Sequence, residues 1–189
     1  MASEPLILAF DTSAAHCAAA LLSGDRVLAM RGEEMSRGQA ERLMPLLEEL
    51  LAETGAEWAD LSRIGVGTGP GNFTGIRISV SAARGLALAL EIPAIGVTSF
   101  EATPVSAGHL PAVRAPRDQV YLARPGEAPA LFAAASVAEP LTFPPDPADF
   151  AVEIARVAAR KAPGDAPAPL YIRPADAAPS REAAPRILS

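Results

Sequence analysis

The segment from residue 67 to residue 90, GTGPGNFTGIRISVSAARGLALAL, restricts the fold more than any other part of the chain. Its first half carries four glycines, which permit positive φ angles or very close backbone approach, and a proline that stiffens the turn between them. Thr74, just before the last of these glycines, is expected to cap a helix. The segment therefore predicts a structural turn that leads into a helix, and the turn comprises Gly67, Gly69, Pro70, Gly71, Thr74 and Gly75.

The predicted helix is rich in small residues and carries one apolar stripe. Alternating spacings of four and three residues place the stripe on one face of a helix, and its members are Ile76, Val80, Ala83, Ala87 and Leu90. The other faces carry serine, alanine and glycine, whose small side chains let neighbouring backbones approach closely. Two interpretations remain open for the stripe: a helix packed in the chain's own core, or a seam between two molecules. Both can hold for different faces.

Composition narrows the class of protein. A length of 189 residues fits one large domain or two small ones, and a hydrophobic content of 50% excludes disorder throughout. The net charge of -6 gives no general attraction to nucleic acid, so we expect an RNA target to be reached through a partner. The single cysteine, Cys17, excludes an internal disulfide. We find neither a basic signal-peptide region nor about twenty consecutive apolar residues, and expect a cytoplasmic protein with no membrane contact.

Apolar patterns in the first hundred residues predict strands at residues 6–10, 17–22 and 26–30, then a helix from about 39 to 53. Ser36 and Gln39 resemble a capping box for this helix, and Pro45 predicts a kink or a late start near residue 45. Further strands are expected at 63–67 and 93–97, on either side of the glycine-turn helix. The order predicts an α/β fold with a mixed sheet flanked by helices.

Signals weaken after about residue 99. We expect a strand near 119–124, a helix at 147–160 and a short strand at 170–173, whereas the proline-rich stretches 125–129 and 140–147 predict irregular structure. The predicted organisation is an N-terminal α/β lobe over residues 1–100, a reduced second lobe over 101–175 and a flexible tail over 176–189.

Few residues are candidates for catalysis or for binding metal or phosphate. Asp11, Thr12 and Ser13 follow the first strand, where nucleotide-binding folds can hold metal or phosphate; the alternative is a turn whose side chains bond the local backbone. The glycine turn lacks the lysine of a P-loop. His16, expected at a strand edge, and His109 form no metal-ligand pattern with the lone cysteine. We therefore predict no metal site; a Ser-His-Asp arrangement stays open by residue count, although the sequence has no GxSxG motif.

Five segments together resemble the TsaB (YeaZ) family of tRNA threonylcarbamoyladenosine biosynthesis proteins: ILAFDTS, RGQAERLMPLLEELL, GVGTGPGNFTGIRISVSAARGLALAL, IPAIGVTSFEA and LYIRPADA. The resemblance covers about residues 6–101 and returns briefly near residue 170, and the string GTGPGNFTGIR is specific. It implies the fold of the actin and sugar-kinase (ASKHA) superfamily with a reduced second lobe. On this basis Asp11, Thr12 and Ser13 are interpreted as a vestigial phosphate loop.

The resemblance also implies a role without catalysis. The related catalytic subunit TsaD carries a metal-binding HxxxH motif, and aligned positions here hold Ser99 and Thr103, whose hydroxyls do not replace imidazole ligands. The family role is to activate and stabilise TsaD in the bacterial complex that makes N6-threonylcarbamoyladenosine beside the anticodon, in tRNAs that read codons beginning with A. Implied partners are TsaD, the ATPase TsaE and, when alone, a second copy; tRNA is reached only through the complex. No cofactor is expected on this chain alone, while ATP or ADP and a metal ion are expected in the partner subunits.

The resemblance assigns the partner surface to the helices at about 39–53 and 75–90, which would join a four-helix bundle. The predicted interface residues are Leu43, Leu47, Leu50, Ile76, Val80, Ala83 and Ala87. Periodicity alone does not fix which helix face meets the partner. One departure from the family is Arg114, which stands where an aspartate is common, and its consequence is open.

Two other functions are weighed. An autonomous ATP-binding, phosphotransferase-like enzyme would need a nucleotide cleft, but the short second lobe lacks a glycine-rich adenosine-binding sequence. A metallopeptidase-like protein would need the histidine pair that Ser99 and Thr103 replace.

Overall fold

The computed structural model describes residues 4–172. The first part of the chain forms β1 (Leu6–Asp11), β2 (His16–Ser23), β3 (Arg26–Glu34), α1 (Gln39–Thr54), β4 (Leu61–Gly67), α2 (Phe73–Leu90) and β5 (Ala94–Val97). The second part forms β6 (Leu110–Ala115), β7 (Gln119–Leu122), β8 (Ala130–Ala133), β9 (Leu141–Thr142) and α3 (Pro147–Arg160).

A five-stranded mixed sheet with the order β3-β2-β1-β4-β5 forms the centre of the molecule. β1, β2 and β3 pair antiparallel, whereas β4 runs parallel to both β1 and β5. The continuous apolar run of β1 is explained by burial on both faces: Leu8 and Phe10 contact one core, Ile7 and Ala9 the other. The predicted mixed sheet flanked by helices is confirmed.

Helices cover both faces of this sheet. α1 and α2 pack on the face that carries Leu8 and Phe10, while α3 packs on the opposite face through Phe150 and Ile154. The predicted helix at 147–160 is therefore confirmed, but its assignment to the second lobe is corrected. Its apolar residues need a large partner surface, and only the five-stranded sheet offers one in the described part of the chain.

The second lobe is a small four-stranded sheet with the order β8-β7-β6-β9. Its buried core is limited to Ala112, Val120 and Leu122. Only β7 was expected from the sequence; β8 and β9 are short and lie in or beside proline-rich stretches, and β6 contains Pro111, so local patterns do not reveal them.

The predicted strand at 170–173 is wrong for its described residues. Residues 170–172 are not in a strand, although the Leu170 amide donates to the Thr68 carbonyl oxygen at 2.8 Å. Residue 173 and the predicted tail at 176–189 lie outside the described residues.

The start of α1 differs from the prediction. Gly38, with a φ of 90°, occupies the N-cap position, and no side chain caps the helix; Gln39 Nε2 instead donates to the Met35 carbonyl oxygen at 3.1 Å. The predicted capping box is therefore wrong. α1 does not start late at Pro45 either, because the Arg42 amide already donates to the Gly38 carbonyl oxygen at 3.0 Å.

The cap of α2 is also corrected. Asn72, not Thr74, is the N-cap: its side-chain oxygen accepts a hydrogen bond from the Gly75 amide at 2.9 Å. The helix begins at Phe73, so Thr74 lies inside the first turn, where its side chain is exposed. Asn72 was visible in the sequence as a good capping residue.

α2 meets the length and composition criteria of a membrane span, with 18 residues and a mean hydropathy of 1.2. This differs from the expectation that no segment approaches such a span, because the many alanines of α2 count as apolar on a hydropathy scale. Core helices of soluble proteins meet the same criteria, and one face of α2 packs in the core. The match therefore carries no membrane assignment.

Cys17 is predicted to be unreactive in the folded protein. Burial raises the pKa of its thiol to about 12, and the nearby charge of Glu33 acts in the same direction. We expect an aromatic disulfide reagent at pH 8 to titrate no thiol in the native chain and one thiol after addition of denaturant. Reaction of the native chain at the rate of a free thiol would contradict the burial of β2.

Candidate functional site

The turn after β1 packs directly against the glycine turn after β4. A Cβ atom on Gly67 would overlap the Asp11 carboxylate, and Cβ atoms on Gly71 and Gly75 would overlap the carbonyl oxygens of Ser13 and Thr12. Gly69 has a positive φ of 92°, which favours glycine. The peptide bond between Gly69 and the buried Pro70 is cis. The prediction that these glycines provide close approach or positive φ is confirmed.

Asp11 is fully buried at the centre of this contact. One carboxylate oxygen, Oδ2, accepts hydrogen bonds from the Ser13 amide at 2.8 Å, the Ser13 hydroxyl at 2.9 Å and His16 Nε2 at 2.7 Å. The other oxygen, Oδ1, has no hydrogen-bond partner among the described residues. The Thr12 hydroxyl donates to the Gly75 carbonyl oxygen at 2.7 Å. Both hydroxyls thus serve internal bonds, which supports the structural interpretation of this turn.

The position of His16 corrects the sequence interpretation. β2 lies between β1 and β3, so the residue is not at a sheet edge. Only 9% of it is exposed, and its ring meets the Phe150 ring edge-on with centroids 6.4 Å apart. Sequence reasoning missed the Asp11–His16 pair; the one available signal was that the two residues flank a tight turn between paired strands.

A cavity of about 350 Å³, called here the inter-lobe cavity, opens beside this pair between the two sheets. The first lobe contributes the turn residues Ser13 and Asn72 together with His16, and the second lobe contributes Arg114 and Tyr121. The remaining wall is mainly apolar and includes Pro70, Val113, Pro116, Pro144, Pro145 and Phe150.

Ser99 and Thr103 are the two residues that the family resemblance aligns with a metal-binding histidine pair. Both are buried, and both hydroxyls are engaged: Ser99 Oγ donates to the Pro70 carbonyl oxygen at 3.3 Å, and Thr103 Oγ1 donates to the Ser99 carbonyl oxygen at 2.6 Å. Within residues 4–172, no group of three or more histidine, cysteine, aspartate or glutamate side chains is placed to hold a metal ion.

Glu101 fixes the turn that carries Ser99, and it makes the stability of this turn depend on pH. Burial raises the pKa of Glu101, but hydrogen bonds from Lys161 Nζ and from the amide and hydroxyl of Thr98 outweigh burial and hold the pKa below its usual range. A lowered pKa stabilises the fold above the unfolded-state value, which is about 4.3, and this contribution is lost as pH falls through the folded-state value.

We therefore expect Glu101→Gln to lower the urea midpoint at pH 7 and to have a smaller effect at pH 3. Equal effects at both pH values would show that the charge of Glu101 contributes nothing.

The predicted interface residues on α1 and α2 lie mostly inside the molecule. Leu43, Leu47, Leu50, Ile76, Val80 and Ala83 are each at most 3% exposed and belong to the core under the five-stranded sheet. Ala87 is half-buried against the same core. This corrects the prediction, because side chains buried against the sheet do not contact a partner. The core interpretation of the α2 stripe is confirmed.

The outer face of α2 carries small and apolar residues together with the exposed Arg77 and Arg84, whereas the outer face of α1 carries Met44 among exposed glutamates. Leu88 is 83% exposed, and Ser81, Gly85 and Ala89 on α2 and Met44 on α1 are also exposed.

At the first turn of α2, the Arg77 guanidinium lies 3.9 Å from the Phe73 ring centre and donates to the Tyr171 hydroxyl at 2.9 Å. This contact holds residues 170–172 beside the helix.

Comparisons with known proteins agree with this geometry. Residues 30–143, more than half of the chain, match the family model described as TsaD: tRNA N6-adenosine threonylcarbamoyltransferase. The proteins called tRNA threonylcarbamoyladenosine biosynthesis protein TsaB in Escherichia coli and Bacillus subtilis are each 38% identical to the chain, over 50% and 61% of its length. These alignments cover 40% and 52% of the two relatives, so the chain matches about half the length of each.

Solved structures are similar to the chain over more of its length than these relatives are. A Pseudomonas aeruginosa protein described as similar to the peptidase YeaZ superposes with a TM-score of 0.74 at 28% identity, covering 89% of this chain and 100% of that one. YeaZ from the same organism gives a TM-score of 0.70 at 27% identity, covering 88% and 99% of the two chains.

Proposed function

Because this chain belongs to the TsaB (YeaZ) family and has its actin/sugar-kinase-like fold, we propose that it is a non-catalytic subunit in threonylcarbamoyladenosine biosynthesis. In this role it binds and activates a TsaD-like catalytic subunit that modifies the adenosine beside the anticodon of tRNA. The observation that carries the proposal is the combination of a helix pair with an exposed outer face and a site in which the hydroxyls of Thr12, Ser13, Ser99 and Thr103 are committed to internal bonds.

The chemistry of the core supports a role without catalysis. Transfer of a threonylcarbamoyl group by a metal-dependent enzyme needs imidazole or carboxylate ligands with an open coordination position. Ser99 and Thr103 supply hydroxyls instead, and both donate to backbone carbonyl oxygens 2.6–3.3 Å away. We place the metal ion and the ATP or ADP of the reaction in the partner subunits.

The outer face of α1 and α2 supports a helical partner. Exposed leucine and methionine provide apolar area, and Ser81, Gly85 and Ala89 leave room for a second helix pair to approach closely. Leu88 is the largest exposed apolar anchor on α2, and burying it would remove a solvated apolar side chain from water. We propose that this face binds the TsaD-like subunit and, in its absence, a second copy of the chain.

The net charge of the chain bears on how tRNA is contacted. A chain with a net charge of -6 is poorly suited to bind the phosphate backbone by itself, so we propose that tRNA is contacted through the complex. A TsaE-like ATPase completes the proposed assembly in the cytoplasm.

The test combines binding with activity. The purified chain is mixed with the TsaD-like subunit of the same organism in a calorimeter, and tRNA threonylcarbamoylation is then assayed with the TsaE-like and adenylate-forming proteins, with and without this chain. We expect binding and activity that depends on this chain. No binding, with activity unaffected by omission of the chain, would overturn the proposal.

Leu88→Asp locates the interface. We expect it to weaken binding to the TsaD-like subunit by roughly tenfold or more, because an interface core does not accept an unpaired carboxylate. Val105→Asp is the matched control, since Val105 is an exposed apolar residue (46%) in the loop between β5 and β6. Equal affinities for the two variants would exclude the outer face of α2 as the contact.

A further inference from the structure

The inter-lobe cavity has the properties of a small-molecule site that the partner role does not use. Its volume of about 350 Å³ falls at the lower end of the range for ligand pockets, roughly 300–1,000 Å³. Its wall is built mainly from prolines and Phe150, so the apolar part of a ligand would displace water from both lobes. Two side chains with basic nitrogen groups interrupt this wall, His16 from β2 and Arg114 from β6.

His16 is held in one orientation with one nitrogen unused. Its Nε2 donates to Asp11 Oδ2 at 2.7 Å, and the same oxygen is fixed by the amide and hydroxyl of Ser13. The residue is nine-tenths buried and lines the cavity, yet Nδ1 makes no hydrogen bond to any described residue. Asp11 Oδ1 is the only fully buried side-chain N or O atom without a partner among the described residues, so Nδ1 retains accessible surface and is open to a molecule in the cavity.

Arg114 brings positive charge to the same cavity. Its guanidinium lies over the Phe143 ring, 4.1 Å from the ring centre, and within the described residues it has no carboxylate within 4 Å. Stacking on a ring leaves the N–H edges of a guanidinium free to bind an anion in the plane. No acidic side chain is among the residues that line the cavity. Gly71 and Asn72 also line it, so the positive end of the α2 dipole lies at the wall.

We propose that the inter-lobe cavity binds a small organic anion, a carboxylate or phosphate monoester with a compact apolar body. Arg114 pairs with the anionic group, the His16 ring in its doubly protonated form donates from Nδ1 to the bound anion, and the prolines with Phe150 pack against its apolar part. The proposal is independent of the partner role, because the lining residues are not those of the outer face of α1 and α2.

The experiment is a titration of the isotope-labelled full chain, followed by NMR, at constant ionic strength. The probes are benzoate, phenyl phosphate and the neutral benzyl alcohol. We expect saturable chemical-shift changes at Ser13, His16 and Asn72 with at least one anion. The affinity for benzyl alcohol should be lower by roughly tenfold or more, because the alcohol cannot form charge-assisted hydrogen bonds. The tighter of the two anions identifies the ligand as a carboxylate or a phosphate.

Arg114→Ala is expected to weaken binding of the preferred anion by roughly tenfold or more. Arg26→Ala removes an exposed arginine on β3 that does not line the cavity, and it should leave the affinity unchanged. The absence of saturable shifts with both anions would overturn the proposal. Equal binding of benzyl alcohol, or equal losses in the two arginine variants, would overturn it as well. Unchanged thermal midpoints establish that both variants are folded.

Discussion

Ala83→Arg is expected to destabilise the chain severely. Ala83 is fully buried on α2, within the core beneath the five-stranded sheet. An arginine there would place a charge without a partner among apolar side chains and would exceed the available volume. The expected loss is about 4 kcal/mol or more, a large share of the roughly 5–15 kcal/mol that stabilises an ordinary domain. Urea unfolding followed by circular dichroism measures it.

Ser81→Arg is the matched control for this prediction. Ser81 lies two residues away on the same helix but is exposed, so its replacement should change the free energy of unfolding by about 0.5 kcal/mol or less. If Ala83→Arg folds with an unchanged urea midpoint and only loses binding to a TsaD-like subunit, the apolar stripe of α2 faces the partner rather than the core.

Gly75→Ala is expected to destabilise the fold by about 3 kcal/mol, although alanine is normally the better residue inside a helix. The new methyl group would overlap the carbonyl oxygen of Thr12, a backbone atom that moves only if the whole turn shifts. The same shift would stretch the hydrogen bond from the Thr12 hydroxyl to the Gly75 carbonyl oxygen.

Gly85→Ala provides the opposite case on the same helix. No described heavy atom lies within 4 Å of a Cβ built there, so only helix propensity acts, and we expect a gain of about 1 kcal/mol. Thermal or urea unfolding of both variants is sufficient as a test. A stabilising effect of Gly75→Ala would mean that the turns after β1 and β4 do not pack as described.

Local patterns predicted much of the first lobe. Every strand of the five-stranded sheet and both helices on one face were expected, because apolar runs and helical stripes reflect burial directly. The caps were predicted less well: Ser36 and Thr74 are common capping residues, but Gly38 and Asn72 occupy those positions. Several neighbouring residues can cap a helix, and its exact start is decided by where the preceding turn ends.

The second lobe and the site were largely beyond sequence reasoning. β8 and β9 are short and β6 contains a proline, so pairing of β8 with β7 and of β6 with β7 and β9, rather than their own composition, makes them strands. The Asp11–His16 pair and the inter-lobe cavity depend on a turn, three strands and α3 meeting at one point. No local periodicity encodes such a meeting.

The sequence by itself determined that residues 6–10 form an apolar strand, that Gly67, Gly69, Gly71 and Gly75 provide close approach or positive φ, and that α2 carries one apolar stripe. Each follows from a steric or hydrophobic requirement of single residues. The tertiary structure decided which atoms the glycines meet, that the α2 stripe faces the sheet, and that α3 closes the opposite face. Those outcomes depend on contacts such as Thr12 to Gly75, 63 residues apart, which form only when the complete core assembles.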